Sequence, residues 1–449
     1  MFKKILIANR GEIALRIIRA CHDMGVHTVA VHSTADADSM HVRLADESVC
    51  IGGAPSKDSY LNVPSIITAA IVTNSDAIHP GVGFLSENPE FAEIVHEHRL
   101  AFIGPSPKHI ADMGDKTKAK KIAVKLGIPV VPGSDDVVSD LSDAQNIAGK
   151  IGYPVLIKAA NGGGGRGMKI VQNESELAES IRIAKNEAET SFGNNEVYIE
   201  KYLSNPKHIE IQVMADNFGN IIHLGERDCS LQRRHQKIFE ESPSPIVTPS
   251  QREELGGLVV RSVKRLGYQG VGTVEFLYSD GRFYFIEMNT RLQVEHPITE
   301  QITGIDIVQE QIKIAAGEHL SFSQKNVTFT GHSIECRINA EDPDTFSPSP
   351  GLINSYHAPG GPGVRIDSHL YSGYKIPPYY DNLAAKLIVH ESNRTRCLAR
   401  LERALNEYVI SGIKTLIPLH LRIIKNPDVI SGKYDVATLE KIINAPGRA

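Results

Sequence analysis

Cysteine is scarce and unpatterned in this chain. Cys21, Cys50, Cys229, Cys336 and Cys397 make an odd count with no C-x-x-C pair. A disulfide framework or a zinc knuckle as the organising principle is thereby excluded. Cys229, in the polar run Glu226-Arg-Asp-Cys-Ser, reads as a free thiol. Long apolar runs are missing too. The longest, Ser65 to Thr73, falls well short of the roughly 20 residues that span a bilayer. There is no excess of one charge: 48 basic against 53 acidic residues leave −5, which argues against a nucleic-acid or membrane-surface binder. With Gly at 37 and Pro at 24, low-complexity and collagen-like readings fail. The first residues, Met-Phe-Lys-Lys-Ile-Leu-Ile-Ala-Asn-Arg, lack the apolar core and cleavage site of a signal peptide and read as a first strand. A cytoplasmic protein is expected.

What is present suits a sizeable soluble protein. The 449 residues are 41% hydrophobic and 22% charged, enough for about three domains at roughly 150 residues each. Strand and helix alternate through the first hundred residues. Ile5–Ala8, Thr28–His32, Asp76–His79 and Leu100–Gly104 read as strands, Glu12 to Met24 has helical spacing with Gly25 as its stop, and Asn88 with Pro89 reads as the capped start of another helix. A parallel, doubly wound sheet is predicted. The turn Ala8-Asn9-Arg10-Gly11-Glu12 lacks G-x-G-x-x-G, so packing rather than dinucleotide binding is its expected role.

Four segments carry chemistry. The strongest is Lys158-Ala-Ala-Asn-Gly-Gly-Gly-Gly-Arg-Gly-Met-Lys. Its glycines free backbone N–H groups for an anion, and Lys158 and Arg166 add charge. It is not a P-loop, because Met168 stands where that motif needs Lys. The second is the hairpin pattern from Gly272 to Asn289 around Asp280-Gly281. A two-residue turn would put Glu275 opposite Ile286, whereas a three-residue turn with a glycine bulge puts it opposite Glu287; the latter is predicted. Glu275, Glu287 and Asn289 then offer hard oxygens suited to Mg²⁺ or Mn²⁺ with nucleotide phosphates. The third is Thr290-Arg291-Leu-Gln293-Val294-Glu295-His296-Pro297, where an Arg can fork onto an anion and a Glu can act as a base. The fourth is the basic run Gln232 to Lys237, a credible anion pocket between the other segments. Lys116 heads a lysine-rich helix after Asp115, where a bound anion would offset the helix dipole.

Taken together, these segments resemble the ATP-grasp superfamily and, within it, the biotin carboxylase subunits of bacterial acetyl-CoA carboxylases. The resemblance runs over essentially the whole chain. It also rests on Ile7-Ala-Asn-Arg-Gly-Glu-Ile-Ala, His79-Pro-Gly-Val-Gly-Phe-Leu-Ser-Glu, Met113-Gly-Asp-Lys116 and Glu335-Cys-Arg337-Ile-Asn-Ala-Glu-Asp. It implies an α/β and α+β protein: a Rossmann-like N-terminal domain over 1–114, an ATP-grasp domain over 115–317 with a lid at about 130–203, and a C-terminal mixed domain over 327–446. It implies ATP contacts from Lys116, Lys158, Gly164, Gly165, His208, Gln232 and His235, with Glu200, Lys201 and Leu203 holding adenine. Glu275, Glu287 and Asn289 match the metal set, for two ions of Mg²⁺ or Mn²⁺. Lys237, Arg291, Gln293 and Val294 match the bicarbonate pocket, Glu295 the base, and Arg337 and Gly83 the biotin site. One departure stands out: Val82 lies where the family usually has Tyr.

The resemblance further implies a homodimer that works with a biotin carboxyl carrier protein and carboxyltransferase subunits. Biotin is expected on a separate carrier, since the nearest match to the carrier motif, Met168-Lys169-Ile170, lies inside the glycine segment. The alternatives are the equivalent subunit of another acyl-CoA or pyruvate carboxylase, and an ATP-grasp ligase joining a carboxylate to an amine.

Overall fold

The computed structural model describes residues 1–134, 136–159 and 168–444. Gly164 and Gly165, with the rest of the glycine segment at 160–167, lie outside the described residues.

The first hundred residues form the parallel sheet that their alternation predicts. Strands β1 (Lys4–Ile7), β2 (His27–Ser33), β3 (Glu47–Gly52), β4 (Ala77–His79) and β5 (Ala101–Phe102) stack in the order β3-β2-β1-β4-β5, all parallel. The strand order reverses between β1 and β4, and open α/β sheets place their crevice at such a switch point, outside the strands' carboxyl ends. Here the two loops that flank that crevice are tied together. Asn9, just after β1, donates through Nδ2 to the carbonyls of Pro80 and Val82 at 2.7 and 2.9 Å, just after β4. Gly81 sits at φ +67°, and a Cβ there would meet Asn9 Nδ2 at 2.8 Å, so only glycine allows this approach. The helix Gly11–Asp23 follows, buried along most of its length. The helix Pro89–Glu97 is capped as expected, with the Asn88 side chain accepting from the Phe91 N–H.

A three-stranded sheet of β6 (Val155–Ala159), β7 (Met168–Val171) and β8 (Val197–Lys201), in the order β7-β6-β8, stands apart with its own small core around Val155, Ile157, Val171, Val197 and Ile199. The remaining large sheet holds the site. Its strands begin with β9 (Lys207–Ala215), β10 (Ile221–Arg233), β11 (Gln236–Ser242), β12 (Gly270–Ser279), β13 (Arg282–Asn289) and β14 (His332–Asn339). The chain then adds β15 (Gly351–Leu352), β16 (Ser355–His357), β17 (Val364–Ser368), β18 (Lys375–Ile376), β19 (Leu383–Glu391) and β20 (Val409–Ser411). Eight of these make one sheet in the order β13-β12-β9-β10-β11-β14-β19-β17, while β15 pairs with β18 and β16 with β20. The sheet therefore runs unbroken from the central segment into the C-terminal one. Strand β10 continues past Gly225 and through Arg233. Cys229 accordingly lies in a buried strand rather than a polar loop.

Alternation along β11, β14 and β19 separates two faces. Phe239, Cys336, Ile338, Leu387 and Val389 join the apolar core with Leu401, Leu405 and Leu419 from the C-terminal helices. Glu240, Glu335, Arg337 and Lys386 take the opposite positions, and Glu240, Glu335 and Lys386 are fully buried. The helix His296–Thr303 packs over this charged face.

The hairpin β12–β13 refines the register prediction. The turn is a two-residue one, with Asp280 at φ 51° and Gly281 at φ 77°, the mirror-image turn that Asp-Gly favours. Residues 276–279 pair as such a turn requires. A bulge at Ile286 then shifts the register, and Glu275 pairs with Glu287. The expected opposition of the two glutamates is present, but its source is a bulge inside the strand and not one in the turn.

Among the described residues, no helix is long and apolar enough to cross a membrane.

Candidate active site

A cleft of about 1240 Å³ opens between the three sheets. The parallel sheet contributes Asn9–Ile13 and Val82–Phe84, from the ends of β1 and β4. The three-stranded sheet contributes Lys158, Met168, Tyr198 and Glu200, and the large sheet forms the floor. Every candidate site residue within the described residues lines this one cleft: Lys116, Lys158, Glu200, Lys201, Leu203, His208, Gln232, His235, Lys237, Glu275, Glu287, Asn289, Arg291, Gln293, Val294, Glu295, Arg337 and Gly83.

The floor carries a cross-strand row. Glu287 of β13 pairs with Glu275 of β12, Glu275 with Glu210 of β9, and Glu210 with Arg227 of β10. Three glutamates abreast repel unless cations intervene. Lys237, at the start of β11, supplies the intervention. Its Nζ donates to Glu210 Oε2 at 2.6 Å, Glu275 Oε1 at 2.9 Å and Glu295 Oε1 at 2.6 Å. The hairpin that delivers it turns through Arg234 and His235, both in the left-handed region at φ 48° and 67°. Arg227 closes the row from beneath, fully buried. It donates to Glu210 Oε1 at 2.5 Å and Gln293 Oε1 at 2.9 Å, with Gln212, Thr273 and Thr299 as its other acceptors. All five of its contacts are charge-assisted, so the guanidinium is rigidly held.

Glu295 precedes the helix His296–Thr303 and meets two cations. Besides Lys237, its Oε2 accepts from Arg337 Nη2 at 2.9 Å, and Arg337 Nε in turn donates to Glu240 Oε1 at 2.6 Å. Burial works against ionisation of Glu295, but Lys237, Arg337 and Arg227 together hold its carboxyl well below the usual carboxylate range. Glu275 is likewise held low against burial by Lys237 and His208, whose Nε2 lies 2.9 Å from Glu275 Oε2. Lys237 itself is pushed up, its burial outweighed by Glu210, Glu275 and Glu295. The loop to Glu295 is pinned twice: Gln293 Nε2 donates to Glu275 Oε1 at 2.7 Å, and the buried Lys386 donates to the Val294 carbonyl at 2.9 Å.

The metal-type donor set fits a hard divalent cation. Glu275 and Glu287 face each other from paired strands, and Glu275 is kept ionised. Asn289 adds an amide whose Nδ2 donates to Glu275 at 2.8 Å and whose Oδ1 accepts from Arg291 at 2.9 Å. Arg291 also donates to Glu87 Oε2 at 2.8 Å, which ties this corner to the parallel sheet's loop. On the opposite wall, Glu200 takes Lys158 at 2.6 Å and Lys120 at 3.0 Å. Lys116 lies 3.5 Å from Glu287. Lys201 points away, donating to the carbonyls of Gly152 and Tyr153. Gly83, at φ +69°, stands exposed at the rim with open space around its Cα.

Comparison with known proteins decides the family. Models described as "Biotin carboxylase, N-terminal domain", "Carbamoyl-phosphate synthase L chain, ATP binding domain" and "Biotin carboxylase C-terminal domain" match residues 1–110, 115–323 and 335–441 in turn. The biotin carboxylase of Haemophilus influenzae is 56% identical over 442 residues, covering 98% of this chain and 99% of that one. The chain belongs to the biotin carboxylase family. Two solved structures of the family superpose closely. A biotin carboxylase complex from Campylobacter jejuni has a TM-score of 0.92 at 50% identity, over 98% of this chain and 99% of its own. The biotin carboxylase domain dimer of the Hydrogenobacter thermophilus 2-oxoglutarate carboxylase, bound to MgADP, ADP and bicarbonate, has a TM-score of 0.91 at 50% identity over the whole of both chains.

Several residues that build this site escape a sequence reading. Glu210 and Gln212 alternate with Ile209, Ile211 and Val213, a pattern that reads as a polar outer face. Arg227, Glu240 and Lys386 lie in segments with no motif, and Glu87 ends the segment His79–Glu87 without a role being assigned to it. Arg227 offered one usable signal, its place two residues before Cys229 in a run whose flanks are apolar.

Proposed function

We propose that the cleft carboxylates biotin with bicarbonate at the expense of ATP, forming ADP, phosphate and carboxybiotin. The observation that carries this reading is Glu295, an ionised carboxylate gripped by Lys237 on one oxygen and Arg337 on the other. A base, an anion-binding ammonium and a guanidinium thus converge on one point of the cleft.

The chain's own residues supply the steps. Lys116, Lys158, His208, Gln232 and His235 line the nucleotide's path, with Gly164 and Gly165 as further contacts and Glu200, Lys201 and Leu203 beside the base. Glu275, Glu287 and Asn289 would hold Mg²⁺ or Mn²⁺, which when bound neutralises phosphate charge. Lys237, Arg291, Gln293 and the Val294 backbone hold bicarbonate. As long as Lys237 rests on Glu295, that carboxylate is a weak base. When an incoming anion draws the ammonium away, the proton affinity of Glu295 rises and bicarbonate can be deprotonated. Bicarbonate then attacks the γ-phosphorus, in-line with departure of ADP, to give carboxyphosphate. That intermediate decomposes to CO₂ and phosphate, and because it hydrolyses readily the reaction requires water to be excluded from the cleft. Phosphate removes the ureido proton of biotin, Arg337 stabilises the enolate-like oxygen, and the deprotonated nitrogen attacks CO₂ to give carboxybiotin. Gly83 lies at the rim where the biotin ring enters.

We propose further that biotin arrives on a biotin carboxyl carrier protein, that the chain works as a homodimer, and that carboxyltransferase subunits complete the acetyl-CoA carboxylase reaction. A second reading of the last step has support of its own. The Hydrogenobacter relative belongs to a 2-oxoglutarate carboxylase, so a keto acid or another acyl-CoA is an alternative final acceptor.

The test is ADP release with Mg²⁺ and ATP, with and without bicarbonate, then with free biotin. Release that requires bicarbonate and rises with biotin is expected. Release indifferent to both would overturn the assignment.

A further inference from the structure

Beneath Arg337 lies a pair of carboxyl groups to which the proposed reaction gives no part. Glu240 of β11 and Glu335 of β14 are directly opposed across the antiparallel ladder, and both are fully buried. Glu240 Oε1 accepts from Arg337 Nε, but its Oε2 and both oxygens of Glu335 have no hydrogen-bond partner among the described residues. The nearby cations are already engaged. Arg337 spans Glu240 and Glu295. Lys386, paired with Arg337 across β14 and β19, donates to Val294 and lies 3.1 Å from Glu12 of the helix Gly11–Asp23.

The other titratable groups facing the pair do not relieve it. His296, on the helix above, is kept neutral, chiefly by burial. Arg365 and Asp367 of β17 pair with each other, and Arg365 also takes Glu300. Lys237 and Arg227 are both engaged by Glu210, and Lys237 by Glu275 and Glu295 as well. Two buried carboxylates facing each other without a cation between them do not both ionise.

We propose that Glu240 and Glu335 hold one proton between them, and that this acid–carboxylate pair is a positioning element for Arg337. Sharing the proton leaves a single negative charge under the guanidinium. Arg337 is then fixed at Nε by Glu240 and at Nη2 by Glu295, and is not drawn down between two anions away from the cleft that it lines. Burial pushes Glu335 well above the ordinary carboxylate range and Glu240 up to about 7, both in the direction of a retained proton. The titration belongs to the pair and not to either member. It follows that the pair is competent while it holds a single proton, and that its alignment of Arg337 is lost as pH rises through the upper of its two titration steps. The consequence for turnover rests on the role of Arg337 proposed above; the shared proton does not.

Two measurements on the full-length protein test this. Infrared spectroscopy in D₂O at pH 7 should show the C=O stretch of a buried protonated carboxylic acid in the wild type, and Glu335→Gln should lack it. A wild type without that band, or a band unchanged in Glu335→Gln, overturns the shared proton. In kinetics, Glu240→Gln should lower biotin-dependent turnover by about 10- to 100-fold, the scale of a lost charged hydrogen bond, and lower bicarbonate-dependent ADP release much less. Glu240→Asp should recover part of the loss, and Glu335→Gln should flatten the alkaline limb of the biotin-dependent pH profile. Equal loss of both rates in Glu240→Gln, without recovery in Glu240→Asp, would reduce the pair to a structural role and overturn the proposal. If the wild type itself shows no biotin-dependent turnover, the functional reading fails, and the infrared result still decides the pair.

Discussion

Lys386 and Leu387 are neighbours on β19, both fully buried, and they face opposite worlds. Leu387 enters an apolar core with Cys336, Val389 and the helix Arg394–Glu407. Lys386 enters a layer of charge with Glu12, Asp367 and, two strands away, Glu240. The apolar face is stabilised by area removed from water, about 25 cal/mol per Å², and tolerates apolar residues of the right shape. The charged face gains little net stability, because desolvation of each ion consumes much of what its pairing returns. What that face does give is direction, since each of its ions has one place to point. Residues that must present Arg337 and Glu295 at fixed angles are therefore drawn from it, and the helices that merely hold the domain together are drawn to the other.

The largest test of this contrast is at its centre. Lys237→Ala leaves Glu210, Glu275 and Glu295 without their common cation. Turnover should fall by about 10²–10³-fold, as for loss of one preorganised donor, and ADP-release assays on the folded variant measure it. Unchanged turnover would remove Lys237 from the site's chemistry. Next comes the neighbouring pair. Lys386→Met should cost about 3–5 kcal/mol, the scale of a broken buried ion pair. Leu387→Ala should cost about 2–5 kcal/mol through its cavity. Denaturant midpoints separate the two by pH. The Lys386→Met loss should ease on acidification, as Glu12 takes up a proton, and the Leu387→Ala loss should not move. Parallel pH dependence in both would erase the distinction between the faces.

Within the charged face, Glu295→Ala should cut the bicarbonate-dependent rate by about 10²-fold or more, the effect of a lost general base. A normal rate would transfer the base role elsewhere. The smallest effect is in acid, and it lies on the opposite face, which Glu241 shares with Phe239. Glu241 accepts from His332, Arg394 and Tyr434, and although burial opposes its ionisation, His332 and Arg394 hold it down at about 2. A depressed carboxylate contributes stability above its unfolded pKa, near 4.3, that is lost as pH falls towards 2. Glu241→Gln should therefore unfold at a lower temperature than wild type at pH 7, with the gap closing in acid. A gap independent of pH would show that the Glu241 charge contributes nothing.

The parts of this molecule that could be read from residues alone are those where chemistry is written in consecutive letters. The doubly wound start, the Asn88 cap and the opposition of Glu275 to Glu287 followed from local pattern. The bulge that produces that opposition did not, because Ile286 is an ordinary strand residue and a bulge leaves no compositional trace there. Glu210 and Glu240 were missed for a related reason. Period-two alternation identifies two faces of a strand, but it cannot say that both will be covered. The layer of charge exists because the helix His296–Thr303 and the helix Gly11–Asp23, nearly 300 residues apart in the chain, close over it.

The ions around Lys237 have one more consequence. Glu210, Glu275 and Glu295 face Lys237, Arg227 and Arg337, so this cluster is electrically balanced before anything enters, while Glu287 of the same row lies outside that balance, 3.5 Å from Lys116. A molecule bringing uncompensated negative charge disturbs that balance, whereas a polyphosphate already paired with divalent cations does not. A nucleotide entering with its divalent cations is therefore expected to fit this cluster better than one entering without them. Excess phosphate without cation should compete poorly for it, however well the individual oxygens fit.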